Sequence, residues 1–156
     1  RLDNMMKRNP SRINYYERYQ KIIEEYNAEQ DKAAIEKTFI DLTSFVNDLD
    51  DEEKRYVREG FNNDEELAMY DLLLKDSLTP AEIKKVKKLA KVLLERIKDK
   101  ISELDHWTEK EETQAAVDIL IRDTLWSELP DSYDDRLLNE YRRKIYEFVY
   151  TTYPAA

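Results

Sequence analysis

Cysteine is missing from this sequence of 156 residues, and glycine and histidine occur once each, as Gly60 and His106. Without cysteine there is no disulfide framework, thiol nucleophile or thiolate metal site, and a cytoplasmic setting is expected. One glycine and four prolines are too few for a run of tight hairpins, and one glycine cannot build a Gly-rich phosphate cradle. A single histidine cannot supply a two-histidine metal motif. No stretch approaches the roughly 18 uninterrupted apolar residues of a membrane span. The opening residues, Arg1 to Arg12, also lack the apolar middle of a signal peptide. A soluble, unexported protein is therefore expected, with no membrane partner. The chain starts at Arg1, which points to a piece of a larger protein.

Charge is what the sequence has in quantity. Asp and Glu number 35 against 26 Lys and Arg, a formal net charge of -9, which argues against a nucleic-acid binder that is basic over its whole surface. The distribution is uneven. From Asp48 to Glu66 nine acids face three bases, whereas from Glu82 to Lys100 eight bases face three acids.

Apolar residues recur at helical spacing along nearly the whole length. Tyr15, Tyr19, Ile22 and Tyr26 predict a helix from Ser11 to about Ala28 with a tyrosine-rich buried face. Ile35, Phe39, Leu42, Val46 and Leu49 predict a second, from about Lys32 to Asn47. The acidic run Asp50 to Glu53 suits the start of a short third helix, because the positive end of a helix dipole favours carboxylates, and Gly60 suits its end. A fourth helix is expected from Asn62 or Asn63 to about Lys75, with Leu67, Tyr70 and Leu74 on one side. Thr79-Pro80-Ala81-Glu82 is a complete start signal for a fifth, reaching about Leu104 and burying Ile83, Val86, Ala90, Leu93, Ile97 and Ile101. Thr108 and Glu111 predict another capping box, opening a helix to about Trp126. Beyond Pro130, Ser132 with Asp134 and Asp135 can open the last, whose stripe is Leu138, Tyr141, Ile145 and Phe148. The expectation is an all-α, irregular bundle of six to seven helices without a β-sheet. Residues 1–10 form a polar, unpatterned lead-in from an upstream domain, and 11–156 a single helical domain.

The residues that could carry chemistry are few. Glu103 and His106 match the Glu-x-x-His spacing of carboxylate-bridged di-iron helices, but the second copy that such a site needs is missing. Asp48, Asp50, Asp51, Glu52 and Glu53 could hold a hard cation; a solvated acidic run is the plainer reading. No catalytic, cofactor or metal residue is therefore assigned. Lys84, Lys87, Lys88 and Lys91 fall at i, i+3, i+4 and i+7 and share a face that could meet phosphates or an acidic protein surface. Trp107 and Trp126 are the aromatic candidates for contact with a neighbouring domain or subunit, beside the alternative that each anchors its own domain.

Several strings together resemble one known family. They are Asn9-Pro10-Ser11-Arg12 running into Tyr15-Tyr16-Glu17-Arg18-Tyr19, Glu65-Glu66-Leu67-Ala68 with Tyr70-Asp71-Leu72-Leu73, and Leu104-Asp105-His106-Trp107. Ile121-Arg122-Asp123 with Leu125-Trp126, the Leu129-Pro130 turn with Tyr133, and Tyr146-Glu147-Phe148-Val149-Tyr150 complete the set. In this order, across nearly the whole chain, they resemble the C-terminal helical domain of the restriction (motor) subunit of type I restriction-modification enzymes. The resemblance implies a parent that is an ATP-dependent, DNA-translocating site-specific endonuclease, with ATP and Mg as its cofactors. It implies as partners the methyltransferase and specificity subunits, the upstream motor domains, and DNA through the parent complex. The sequence itself contains no ATPase or nuclease motif, so the resemblance carries over no catalytic residue and implies a helical domain that is inert alone and helps assemble the enzyme. The competing expectation is an independent helical adaptor or regulator that binds a partner helix.

Overall fold

The computed structural model describes residues 1–28 and 30–155, and among them every regular element is helical. Eight α-helices follow in order: α1 (Leu2–Arg8), α2 (Ile13–Ala28), α3 (Lys32–Glu53), α4 (Arg55–Arg58), α5 (Asp64–Leu73), α6 (Pro80–Ser102), α7 (Glu111–Glu128) and α8 (Asp135–Thr152). Short 3-10 turns stand at Pro10–Arg12 and Trp107–Glu109. The chain is all-α, as its periodicity requires. It packs as two compact units, Arg1–Asp64 and Glu65–Ala156, within the stretch that patterning alone presents as continuous.

In the first unit, the segment read as an unpatterned lead-in contains α1, because Met5 is fully buried and joins Ile22, Phe45 and Leu49 in one cluster, with Leu2, Tyr15 and Leu42 packed at its edge. One buried methionine per two turns is too sparse a signal to read as periodicity. The fully buried Asn9 closes the following turn by accepting from the Ser11 amide at 3.1 Å and its hydroxyl at 2.8 Å.

Two expectations for α3 do not hold. The helix does not end at Asn47; it runs on through the acidic stretch to Glu53, since neither glycine nor proline interrupts it and Phe45, Leu49 and Glu52 continue its inner face. Asp50 to Glu53 therefore lie at a helix C-terminus, where carboxylates oppose the macrodipole. Arginines offset this: Arg1 binds Asp50 and Glu53, Arg18 binds Asp48, and Arg12 and Arg55 bind Glu52. The inner stripe holds only in part, with Leu42 and Leu49 turned inward as expected and Phe45 joining them from off the expected spacing. Phe45 and Leu49 are buried against α2, while Ile35, Phe39 and Val46 face outward at 47%, 72% and 44% exposure.

Short α4 ends as its sequence predicts. Gly60 adopts φ +83°, the Phe61 amide donates to Tyr56 O at 2.9 Å and the Gly60 amide to Val57 O at 3.1 Å. This is the paired bonding of a Schellman C-cap, and its left-handed residue costs a side chain about 1–2 kcal/mol.

In the second unit, the α6 start is the predicted capping box: the Glu82 amide donates to Thr79 Oγ1 and the Thr79 amide to Glu82 Oε1, both at 3.1 Å. Ser132 also donates to Glu82, and these bonds hold its carboxyl below the usual range. Of the expected inner face, Val86, Ala90, Leu93, Ile97 and Ile101 are buried and Ile83, in the first turn, is half-buried. The second capping box does not form. The chain passes through the turn Trp107–Glu109, and α7 opens at Glu111 without a side-chain cap. Thr113 Oγ1 donates to Trp107 O at 2.7 Å and Gln114 Nε2 to Thr108 O at 2.6 Å, so the end is tied by side chains reaching back. Asp134 caps α8 by accepting from the Leu137 amide at 2.8 Å.

Tyrosine hydroxyls lock the second unit. Tyr133 donates to Leu73 O at 2.6 Å, Tyr141 to Leu74 O at 3.1 Å, and Tyr153 to Glu65 Oε2 at 2.6 Å. Burial raises the Tyr133 pKa, and burial with the Glu65 bond raises that of Tyr153. Burial also tends to raise Glu65, but hydrogen bonds from Lys98 and Tyr153 outweigh it and leave the carboxyl below its ordinary range. Because the phenols ionise at about pH 10 once unfolded, they stabilise the fold fully below that pH and less as pH climbs toward their higher folded values. Urea midpoints should therefore drop steeply above about pH 10, and less steeply in Tyr153→Phe.

Candidate interaction surface

The lysines singled out on α6 lie along its outer side. Lys84 and Lys88 are exposed, whereas Lys87 and Lys91 are half-buried. Lys87 Nζ stands 5.6 Å from the Tyr70 ring centroid, so its charge is partly engaged by an aromatic face of its own unit. Exposed and half-buried lysines thus alternate along the row.

The two tryptophans have opposite placements. Trp126 is 67% exposed on α7, and Ile119, seven residues earlier on the same helical side, is 46% exposed. Arg122 and Asp123 lie on that side and pair with each other at 3.2 Å. An apolar ridge edged by a self-neutralised ion pair is the composition found at protein contacts. Trp107, by contrast, is fully buried. Its Nε1 donates to Tyr153 O at 2.7 Å, and Tyr146 and Tyr150 meet it edge-on with centroids at 6.0 and 5.7 Å. The expectation of a surface role for Trp107 is thus corrected: the turn before α7 points the indole inward, where its one donor finds a carbonyl. Ile119 escaped the sequence reading because a lone isoleucine in an amphipathic helix looks like core; its relation to Trp126 was the available signal.

Among the described residues no group of three or more His, Asp or Glu side chains is placed to hold an ion. Glu52, which reads as an exposed acid, is 5% exposed and bound by two arginines. Arg12 is the unanticipated residue here: at 1% exposure it donates from Nε to Glu52 at 2.8 Å and from Nη1 and Nη2 to Asp64 at 2.9 and 2.6 Å. Glu103 and His106 do not share a helical face, because α6 stops at Ser102 and His106 turns left-handed at φ 49°. His106 is exposed near Asp105 at 3.4 Å and Glu109 at 3.9 Å.

An open groove of about 450 Å³ runs along α7 and α8, lined by Asp118, Arg136, Asn139, Glu140, Arg142, Arg143 and Tyr146. Its charges are mixed. Arg142 Nε is buried without a hydrogen bond, 3.7 Å from Asp118 Oδ1, a spacing that a small rotation would close.

Compared with known proteins, residues 1–147 match the family model described as "Type I restriction enzyme HindI endonuclease subunit-like, C-terminal". No curated protein and no solved structure matches the chain.

Proposed function

The chain belongs to the family of C-terminal domains of type I restriction enzyme HindI endonuclease subunit-like proteins, and from that premise we propose that it is a non-catalytic docking domain joining the restriction subunit to its methyltransferase and specificity subunits. The observation that carries this reading is the ridge of Trp126 and Ile119, the kind of exposed apolar surface that association removes from water. The lysine row of α6, above all the exposed Lys84 and Lys88, supplies positive charge for steering toward an acidic partner surface. ATP and Mg belong to the parent subunit's motor parts, DNA is reached through the assembled enzyme, and the work is done in the cytoplasm.

Sedimentation of the chain with the methyltransferase and specificity subunits tests this. Trp126→Ser should weaken association at least about tenfold, as loss of an aromatic anchor does, with helix content and melting unchanged. Lys84→Glu with Lys88→Glu should weaken it most at low salt and less as salt rises. An affinity unmoved by either change would remove the assignment.

A further inference from the structure

The outer side of α3 has a pattern that its own unit does not use. Phe39 and Ile40 are 72% and 65% exposed, and Ile35 and Val46 nearly half, a run of apolar surface unlike the isolated exposed residues of ordinary helices. At 3.6 residues per turn, Lys32, Ile35, Phe39, Thr43, Val46 and Asp50 lie within an arc of about 80°. The face begins with a base and ends with acids. Among the described residues Lys32 has no ion-pair partner, while Asp50 and Glu53 at the far end are both bound by the Arg1 guanidinium.

A face with a base at one end, an acid at the other and apolar residues between is complementary to itself when two copies run antiparallel. We propose that α3 docks on α3 of a second copy about a two-fold axis. Lys32 of each copy then lies opposite Asp50 of the other, and Phe39 opposite Thr43. That register is isologous, so each contact occurs twice. It also delivers Phe39 to the groove of about 460 Å³ lined by Phe39, Ile40, Thr43, Ser44, Asn47 and Asp48, which accepts an aromatic ring with its polar rim left wet.

Analytical ultracentrifugation of the 156-residue chain over a concentration series reads the outcome. A monomer–dimer equilibrium is expected. Phe39→Glu should raise its dissociation constant at least about a hundredfold, since the ring is removed from both sides. Lys32→Glu and Asp50→Lys should each weaken it about tenfold, two exposed pairs being lost at once. The double variant Lys32→Glu/Asp50→Lys should recover to within about threefold of the parent chain, because the reversed pairs attract again. Far-ultraviolet circular dichroism confirms helix content in every variant. Recovery in the double variant is the specific signature. A chain that stays monomeric, a dimer indifferent to Phe39→Glu, or a double variant no better than the singles would each overturn the proposal. So would a Phe39 face that becomes protected only when another protein is added.

Discussion

Arg12→Ala is expected to lower the stability of the first unit by about 3 kcal/mol or more, because removing one member of a buried ion pair strands the other charge away from water. The Arg12 guanidinium is 1% exposed and answers Glu52, Asp64 and the Met5 carbonyl, the last at 3.2 Å. Its loss is only partly relieved, since Glu52 retains Arg55 at 2.7 Å while Asp64 loses two charge-assisted bonds. Urea unfolding followed by circular dichroism should show an early transition. In Arg12→Met/Glu52→Leu/Asp64→Asn, where no buried charge is left alone, much of the loss should return. A midpoint unchanged in the single variant would mean that the network contributes nothing to folding.

Trp107→Ala should cost the second unit about 3–5 kcal/mol, the range for emptying a large aromatic site in a packed interior. The side chain is fully buried, and its removal also leaves the Tyr153 carbonyl without its indole donor. The contrast with Trp126 makes the result diagnostic. Being 67% exposed, Trp126 should be replaceable by serine within about 0.5 kcal/mol in the isolated chain. Thermal or urea midpoints of the two variants, measured together, read the difference. Equal losses would contradict the opposite placements of the two indoles.

Much of the helical fold follows from patterns visible in the sequence, and the departures have physical causes. The Thr79 capping box, the Gly60 terminus and the inner faces of α6 and α8 are local, each fixed by residues within a few positions of one another. What could not be read depends on distant partners. The acidic run looked like a helix start because the arginines that stabilise it at a helix end, Arg1, Arg12 and Arg18, are 30 to 52 residues away in sequence. The wide apolar set of α3 admits two overlapping stripes, and packing turned Leu42 and Leu49 of the expected one inward together with Phe45, leaving Ile35, Phe39 and Val46 outside. The α7 start moved because Trp107 was drawn inward, converting the expected cap into a 3-10 turn. For the candidate surface, Lys84 and Lys88 could be picked out from spacing alone, whereas the opposite fates of the two tryptophans could not: an indole fits a buried pocket or a contact ridge equally well until its neighbours are known.

Amide hydrogen exchange on the chain, alone and with the methyltransferase and specificity subunits, tests the docking reading most directly. Exchange should slow upon mixing along the α7 segment from Ile119 to Trp126 and at the lysine-bearing turns of α6, and Trp126→Ser should lose that protection. Stable complex formation with unchanged exchange in both segments would contradict it.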